Sequence, residues 1–370
     1  MNVEIEVPFV DFKRRYALQK SEIDAAVQAV FGSGNYILGE YVEEFERKVS
    51  QYLGCPYVLA VANGTDAIIM ALKAFNIGVG DEVVVPVNSF VASAGAVAAV
   101  GAIPVFCDVT EDLNIDVIKL PRLINKRTKV ILPVHLTGRP ANMVAVLKIA
   151  KQHKLKVIED AAQSIGAKYQ GQMTGCIGDV GCFSLHPLKN LHVYGDGGLI
   201  TVNDEKLYQQ LKLMRNHGLK DRDTCVAFGL NSRLDSVQAK IASLGMEHLN
   251  QWTERRRYIA QLYRDGLKNL VTVPVDASGD FSVYHNFVIL TQQRDALAAF
   301  LQKQGVDTRV HYPIPLHLQP AASYLGYKTG DFPVAERLAK EMLSLPVFPE
   351  LKDVEVQKVV KTIQDFFRIN

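Results

Sequence analysis

The chain has 370 residues and a formal net charge of +2, and its basic residues are scattered along the sequence. A surface that binds polyanions usually shows a run of basic residues, so nucleic acid is not an expected partner. The sequence holds no stretch of about 18 apolar residues, so no membrane span is expected. At ~150 residues per domain, this length predicts two domains.

The sequence contains five widely spaced cysteines and no Cys-x-x-Cys pair. An odd count without a paired motif favours reduced thiols and a cytoplasmic location. The N-terminus has no basic segment followed by an apolar run, so no signal peptide is expected. A paired histidine motif of the kind that binds metals is also missing, so no metal site is expected.

Short apolar runs alternate with helical stretches from about Val58 to Val202, which predicts an α/β fold with a mostly parallel sheet between helices. Ligands of such sheets bind at the carboxyl ends of the strands. Asp160 and the turn Asn63–Thr65 both fall at such ends. The runs that end in polar or turn residues include Glu82–Val87, Ile103–Val109, Val130–Val134 and Val157–Asp160.

The pattern changes in the last third of the chain. Leu234–Asn269 is typical of a helix with a break near Gly245, and Phe281–Leu290 is typical of a strand. Further strands and helices follow, which predicts a small α+β domain. A helix over about Ser21–Gly32 is expected to pack on that domain or to reach a partner. The predicted division is a large domain over residues 1–250 and a small C-terminal domain over residues 251–370.

A lysine occupies the loop between two apolar runs. Lys189 follows Gly181–Leu185 and precedes the glycine-rich segment Gly195–Gly198. Desolvation in such a loop favours the neutral amine, and a neutral lysine forms a Schiff base with the aldehyde of pyridoxal 5'-phosphate (PLP). Judged alone, Lys189 is typical of a solvated surface charge. The interpretation therefore depends on whether the cofactor's other contacts are also present.

A buried carboxylate must keep the pyridine nitrogen of this cofactor protonated. Asp160 ends the apolar run Lys156–Asp160 and is the candidate. Gln163, three residues on, could donate a hydrogen bond to the phenolic oxygen of the ring. An isolated aspartate after a strand also serves as a helix N-cap, and this alternative stays open.

The phosphate of the cofactor needs backbone N–H groups at a helix start. Gly64 and Thr65 follow the apolar run Tyr57–Ala62 and supply a close backbone approach and a hydroxyl. Ser184 is a further phosphate candidate, and Phe90 could stack on the pyridine face. A plain tight turn, a buried strand serine and a core phenylalanine are the respective alternatives.

Together these motifs resemble the DegT/DnrJ/EryC1/StrS family of PLP-dependent sugar aminotransferases, which have the aspartate-aminotransferase fold (PLP fold type I). The resemblance runs from one end of the chain to the other and implies a large domain built on a seven-stranded type of sheet. The motifs that carry it are Pro8–Phe12, Gly34–Gly39, Asn63–Ala67, Val134–Pro140, Glu159–Gln163, Ser184–Lys189, Gly195–Gly198, Arg215–Gly218, Asn231–Asp235, His311–Pro313 and Gly330–Glu336.

The resemblance implies one site for the residues already singled out, with Lys189 and Asp160 as the catalytic pair. Asn231 would reach the phosphate of the neighbouring subunit, which implies a homodimer with shared active sites. The family often has an aromatic residue where Thr137 stands and glutamine where Arg139 stands, so the substrate is less clear than the reaction. The implied cofactor contacts are Gly64, Thr65, Phe90, Asp160, Gln163, Ser184, Lys189 and the partner's Asn231.

The activity implied is transfer of an amino group from an amino acid, expected to be glutamate, to a keto-sugar. A nucleotide-linked sugar of amino-sugar, lipopolysaccharide or antibiotic-sugar biosynthesis is expected. A free keto-sugar acid, such as a keto-octulosonate, or a keto-cyclitol is the alternative substrate. A non-catalytic regulatory or binding protein is the alternative of another class, and it predicts loss of the lysine, whereas Lys189 is present.

Basic residues in and after the loop that holds Lys189, which we call the lysine loop, are the substrate candidates. The resemblance implies that they lie near the mouth of the site, where arginine can bind diphosphate oxygens in two-pronged fashion. A solvated face is the alternative for them, with Arg233 or His311 placed for packing or for the donor's carboxylate. The candidates are His186, Arg215, Arg222, His311 and His317, with Lys220 and Arg233 beside them.

Overall fold

A computed structural model describes residues 4–369. The first three residues, on which the expectation of no signal peptide partly rests, lie outside the described residues. The strands in chain order are β1 (Tyr57–Val61), β2 (Glu82–Pro86), β3 (Ile103–Cys107), β4 (Thr128–Ile131), β5 (Lys156–Asp160), β6 (Lys168–Tyr169), β7 (Gln172–Met173), β8 (Val180–Ser184), β9 (Gly198–Val202), β10 (Asp280–Phe281), β11 (Phe287–Leu290) and β12 (Met342–Leu345).

The helices lie between these strands and at both ends of the chain. Over residues 4–369, no helix combines the length and apolar character needed to cross a membrane. The helices are α1 (Phe12–Ser33), α2 (Glu40–Leu53), α3 (Gly64–Ala74), α4 (Val91–Ala99), α5 (Leu120–Leu123), α6 (Met143–His153), α7 (Glu205–Arg215), α8 (Ser236–Leu267), α9 (Arg294–Lys303), α10 (Pro333–Glu341) and α11 (Asp353–Ile369).

The central sheet, taken over the described residues, has seven strands in the order β1-β9-β8-β5-β4-β2-β3. Strand β9 pairs antiparallel with both β1 and β8, while the pairs from β8 to β3 are parallel. Helices cover both faces of this sheet. Alternate residues of β2 therefore pack into different cores, Val83 and Val85 into one and Val84 into another. This arrangement confirms the predicted α/β fold and explains the near-continuous apolar runs.

The parallel pairing brings the carboxyl ends of β1, β2, β4, β5 and β8 to one edge of the sheet. Asn63, Ser89, Asp160 and Ser184 lie at or just after these ends. We call this edge the strand-end site. The topology alone therefore gathers residues that are more than 100 positions apart in the sequence, as expected for an open parallel sheet.

A second core forms around β11, β12, α9 and α11, and it includes the second half of α8 from Ile259 onward. The proposed domain boundary at residue 250 falls inside α8. The expected break near Gly245 is wrong, because α8 runs without interruption from Ser236 to Leu267. Val7 joins this second core through a bridge to Val306, so the two ends of the chain pack together.

Two other expected elements differ from the structure. Helix α1 begins at Phe12 because the Asp11 carboxylate accepts a hydrogen bond from Arg14 N at 2.9 Å and caps the helix. The strand expected over Phe281–Leu290 is divided into β10 and β11. Its middle section bonds instead to the loop after β4, where Val283 N donates to Gly138 O at 3.0 Å.

Candidate active site

The carboxylate of Asp160, at the end of β5, is buried with 6% of the residue exposed. Ser93 Oγ donates a hydrogen bond to Asp160 Oδ2 at 2.7 Å, and Ala162 N donates to Oδ1 at 3.2 Å. Turns rather than a helix follow Asp160, so the N-cap alternative does not apply. These two hydrogen bonds hold the buried carboxylate in place, and a carboxylate is the partner that a protonated ring nitrogen needs.

Lys189 lies in the loop between β8 and β9 and is half-buried. Burial lowers the pKa of its ammonium to about 8, and the negative charge of Asp160 opposes that shift. Lys189 N donates to His186 O at 2.8 Å, which fixes the backbone of the loop. These surroundings contrast with a solvated surface lysine, and near pH 8 about half of the side chains carry a neutral amine.

Gln163 is tied to the two loops beside it. Its Oε1 accepts from Thr137 N at 2.7 Å, and its Nε2 donates to the Tyr312 hydroxyl at 3.4 Å. The ring of Tyr312 lies 5.8 Å from the ring of Phe90, and Phe90 is 53% exposed. Phe90 is therefore not a core residue, because its ring faces open space at the strand-end site.

The phosphate candidates lie where β1 turns directly into α3. Asn63 caps the helix by accepting from Asp66 N at 2.8 Å, and Gly64 is the first helical residue. A Cβ atom on Gly64 would lie 2.9 Å from the Cβ of Ser184, so glycine is needed for the two segments to touch. Gly64, Thr65 and Ser184 thus surround a helix start, whose free N–H groups bind anions.

These residues fit the groups of pyridoxal phosphate. A lysine with a lowered pKa suits the aldehyde, a buried carboxylate suits the ring nitrogen, and a helix start beside a serine suits the phosphate. Among residues 4–369, no group of three or more His, Cys, Asp or Glu side chains is placed to hold a metal ion. All five cysteines are free thiols.

Three histidines lie around Lys189, and the positive charge of the lysine lowers the pKa of each in addition to burial. His311 has its pKa lowered to about 4, mainly by burial, and its Nδ1 lies 2.8 Å from Ser344 Oγ. Desolvation first, and the charge of Lys189 second, also lower the pKa of exposed His186 and of half-buried His285. All three rings are therefore expected to be neutral near pH 7, which favours hydrogen bonding over charge attraction.

Two substrate candidates are buried and contact a glutamate side chain. Arg215 Nη1 donates to Glu46 Oε1 at 2.5 Å and to Ala60 O at 2.9 Å. His317 Nε2 lies 3.0 Å from Glu336 Oε1 and its side chain is fully buried. Each contact pairs one nitrogen of these side chains, whereas Arg215 Nε and His317 Nδ1 are buried and have no hydrogen-bond partner among the described residues. The substrate role of Arg215 and His317 stays a prediction.

The remaining candidates lie in or beside an exposed segment, residues 217–230, which we call the 217–230 loop. Lys220 and Arg222 are exposed within it, and Arg233 Nη1 donates to Asn216 Oδ1 at 2.9 Å just beyond it. Asn231 is exposed and forms an antiparallel bridge with Asn216. These contacts hold the residues that flank the 217–230 loop to one another.

Three residues near the site were missed by sequence reasoning: Ser93, His285 and Tyr312. Ser93 had a weak signal, because Ser89 and Ser93 are four residues apart at the start of α4 and their hydroxyls lie 2.7 Å apart. Tyr312 lies in a motif that was noted but given no role. His285 had no signal, since it enters the site only through the long-range pairing of residues 282–286.

Comparison with known proteins identifies the family. The profile of the DegT/DnrJ/EryC1/StrS aminotransferase family matches residues 18–364. A pleiotropic regulatory protein of Geobacillus stearothermophilus is 44% identical over 98% of this chain and 99% of its own. A dTDP-3-amino-3,4,6-trideoxy-alpha-D-glucose transaminase of Streptomyces venezuelae is 39% identical over 97% of this chain and 96% of its own.

The fold agrees with a solved structure of similar sequence. The crystal structure of S. venezuelae DesV in complex with a ketimine intermediate has a TM-score of 0.96 with this chain, at 38% identity, and covers 98% of this chain and 99% of its own. Sequence and structure thus agree over nearly the whole length. The chain belongs to the DegT/DnrJ/EryC1/StrS aminotransferase family.

Proposed function

We propose that this protein is a PLP-dependent aminotransferase that moves an amino group from glutamate to the keto carbon of a nucleotide-linked sugar. The observation that carries the proposal is a lysine with a pKa of about 8 beside a buried, hydrogen-bonded aspartate. The family and the dTDP-sugar transaminase among its relatives support the substrate class.

Eight residues would hold the cofactor, whose pyridinium ring supplies an electron sink for the reacting carbon. Asp160 keeps the proton on the ring nitrogen, and Ser93 holds that carboxylate by its 2.7 Å hydrogen bond. The helix start at Gly64 and Thr65, together with Ser184, would bind the phosphate. The remaining contacts come from Phe90 and Gln163 at the ring, Lys189 at the aldehyde carbon and the partner's Asn231 at the phosphate.

Lys189 moves the proton in the proposed reaction. In its neutral form, Nζ takes the proton from the α-carbon of the donor amino acid, and as an ammonium it returns a proton. A pKa of about 8 leaves both forms populated near neutral pH. The neutral rings of His285 and His311 beside it add no competing positive charge.

The substrate is tested with a panel of nucleotide-linked keto-sugars, free keto-sugar acids and keto-cyclitols, with the enzyme first converted by glutamate to its pyridoxamine form. Loss of that form on mixing measures acceptance of each compound. We expect the nucleotide-linked sugars to react fastest and free nucleoside diphosphates to compete with them. Rapid reaction of a free keto-sugar, without inhibition by nucleoside diphosphates, would replace the nucleotide part of the proposal.

A homodimer with shared sites is part of the proposal. Asn231 is exposed, and Phe228 and Val226 of the 217–230 loop expose apolar side chains of the kind that protein interfaces cover. Mixing Lys189→Ala protomers with Asn231→Ala protomers tests this arrangement. Each mixed dimer then has one site with both residues intact, so activity should rise on exchange. No rise after verified exchange would mean that Asn231 acts within its own chain.

The regulatory alternative has two relatives in its favour, one named a pleiotropic regulatory protein and one named an erythromycin biosynthesis sensory transduction protein. Lys189, Asp160 and the contacts that hold them are present in this chain, and a binding protein has no need of a lysine with a lowered pKa. We therefore favour catalysis. A cytoplasmic location is part of the same proposal, supported by the five free thiols.

A further inference from the structure

Arg15 of α1 is buried, with 1% of the residue exposed, and its side chain reaches the lysine loop. Its Nη1 donates a hydrogen bond to Pro187 O at 2.9 Å, and its Nε donates to Glu350 Oε1 at 3.1 Å. A buried guanidinium is costly unless it is paired and hydrogen-bonded. These two acceptors therefore fix the position of the Arg15 side chain.

Lys189 lies between two anchors of its own loop. Before it, the carbonyl of Pro187 is held by Arg15, and after it, Asn190 Nδ2 donates to Val283 O at 3.1 Å. The Asn190 side chain also meets His285, whose Nδ1 lies 3.3 Å from Asn190 Oδ1. Because Pro187 has no N–H group, its carbonyl is the polar backbone group by which the fold can hold it.

We propose that Arg15 is a positioning residue, whose hydrogen bond to the Pro187 carbonyl holds the lysine loop so that Lys189 stays withdrawn from water. The consequence for catalysis rests on the proposed function, whereas the contact with the loop does not. Loss of the bond would let the loop relax and admit water around the Lys189 ammonium. Hydration favours the charged form, so the pKa of Lys189 would rise from about 8 toward its ordinary value.

Several charged or titratable groups act on Lys189 and are unchanged by a substitution at Arg15. Asp160 on β5 stabilises the ammonium of Lys189. That ammonium in turn lowers the pKa of His186 in the lysine loop, of His285 and of His311. Around Arg15 itself lie Glu350, His192 and Arg256, and Arg256 donates to Val347 O at 2.5 Å. A change at Arg15 therefore reaches Lys189 through loop geometry more than through charge.

Arg14 provides a matched control on the same helix. Its Nη1 and Nη2 each donate to the carboxylate of Glu355 at 2.8 Å, and Nη1 also donates to Glu350 O at 3.1 Å. Arg14 thus joins α1 to the same C-terminal region that Arg15 contacts through Glu350. Unlike Arg15, it donates no hydrogen bond to Pro187 in the described structure. Arg14→Met removes a salt bridge of this region while keeping the anchor of the lysine loop.

The experiment compares Arg15→Met and Arg14→Met in the holoenzyme. Hydrogen–deuterium exchange of the peptide that covers residues 185–193 reports loop opening. Trace acylation of Lys189 in the pyridoxamine form, mapped by mass spectrometry across pH, reports its titration midpoint. In Arg15→Met we expect about tenfold faster exchange of the loop amides and a midpoint that moves upward. Arg14→Met should leave both unchanged.

Equal effects of the two variants, or a folded Arg15→Met with wild-type exchange and midpoint, would overturn the proposal. If Arg15→Met fails to fold, the double variant Arg15→Met with Glu350→Met removes both buried charges, a change that folds tolerate better than loss of one partner. It should keep the faster loop exchange, and wild-type exchange in it would also overturn the proposal. Failure of the proposed function is distinct, because a cofactor adduct on another lysine would leave the loop exchange response intact.

Discussion

The strand-end site and the 217–230 loop differ in what fixes their side chains. At the strand-end site, Asp160 accepts from buried Ser93, and Gly64 touches Ser184 so closely that a methyl group would not fit. In the 217–230 loop, Arg222 is exposed and the backbone is held by local turns, such as the bond from Lys220 N to Thr224 O at 2.9 Å. The side chains of the first region are therefore fixed by this chain's own packing, whereas those of the second are exposed.

The largest expected effect is at Lys189. Lys189→Ala should lower turnover by roughly 10⁴-fold or more, because the proton at the donor's α-carbon then has no base. The phosphate contacts should still retain the cofactor noncovalently. Steady-state rates and absorption spectra measure both outcomes. A borohydride-reduced adduct mapped to another lysine in the wild-type protein would show that Lys189 is not the cofactor lysine.

Asp160→Asn should follow, with about 10²–10³-fold lower turnover, since a neutral amide does not keep the ring nitrogen protonated. The hydrogen bond from Ser93 can still be accepted by the amide oxygen, so we expect the fold and much of the cofactor content to remain. Turnover and circular dichroism measure these effects. Near wild-type turnover would mean that another group protonates the ring.

Arg215 is close in sequence to the 217–230 loop but is fixed by packing. It ends α7 just before that loop, and its guanidinium pairs with buried Glu46. Arg215→Met should lower the free energy of unfolding by ~3–5 kcal/mol, since Glu46 would lose its buried partner. Urea titration measures this change. An unchanged unfolding midpoint combined with a raised KM for the sugar would instead support the predicted substrate role of Arg215.

Gly64→Ala tests the close packing of the strand-end site. The added methyl group would meet Ser184 at 2.9 Å, so we expect a loss of ~1–3 kcal/mol in stability and weaker cofactor binding. Gly95→Ala in α4 is the control, because its Cβ would have no neighbour within 4 Å. That variant should be stabilised by about 0.5–1 kcal/mol. Equal cofactor dissociation constants for the two variants would contradict the proposal that Gly64 and Ser184 bind the phosphate.

The smallest effect is expected in the 217–230 loop. Arg222→Ala should raise KM for the nucleotide-linked sugar by about fivefold or less, because exposed ionic contacts contribute little free energy. Added salt should reduce the difference from wild type, and the half-reaction with glutamate should not change. A large loss in that half-reaction would mean that Arg222 acts on the cofactor or the donor instead.

The strand-end site could be predicted from the sequence because the patterns that mark it are short and local. Each apolar run that ends in a polar residue marks a strand and its carboxyl end, and parallel pairing then brings Asp160, Ser184 and the Gly64 turn together without further information. The helix start at Gly64 followed from Asn63 and the apolar residues after it. Ser93 was within reach of the same reasoning, since its hydroxyl lies beside Ser89.

The remaining differences between expectation and structure have both distant and local causes. Arg215 was predicted to bind substrate, and its buried partner Glu46, 169 residues away, could not be recognised from the sequence. The segment before β11 has the composition of a strand, yet Val283 and Asn286 donate to the loop at Thr137 and Gly138. The start of α1 at Phe12 depends on the Asp11 cap, a local signal that was overlooked.

The position of β9 has a consequence for synthesis on the ribosome. Strand β1 joins the sheet through β9, so residues 57–61 have no ladder partner until residue 202 has emerged. Until then, the nascent chain exposes an apolar strand edge of the kind that pairs with other chains. The contact between Gly64 and Ser184 also joins residues that are far apart in the chain, so it too forms late in synthesis. We therefore expect fragments that end before β9 to aggregate, while those that extend beyond it form the sheet.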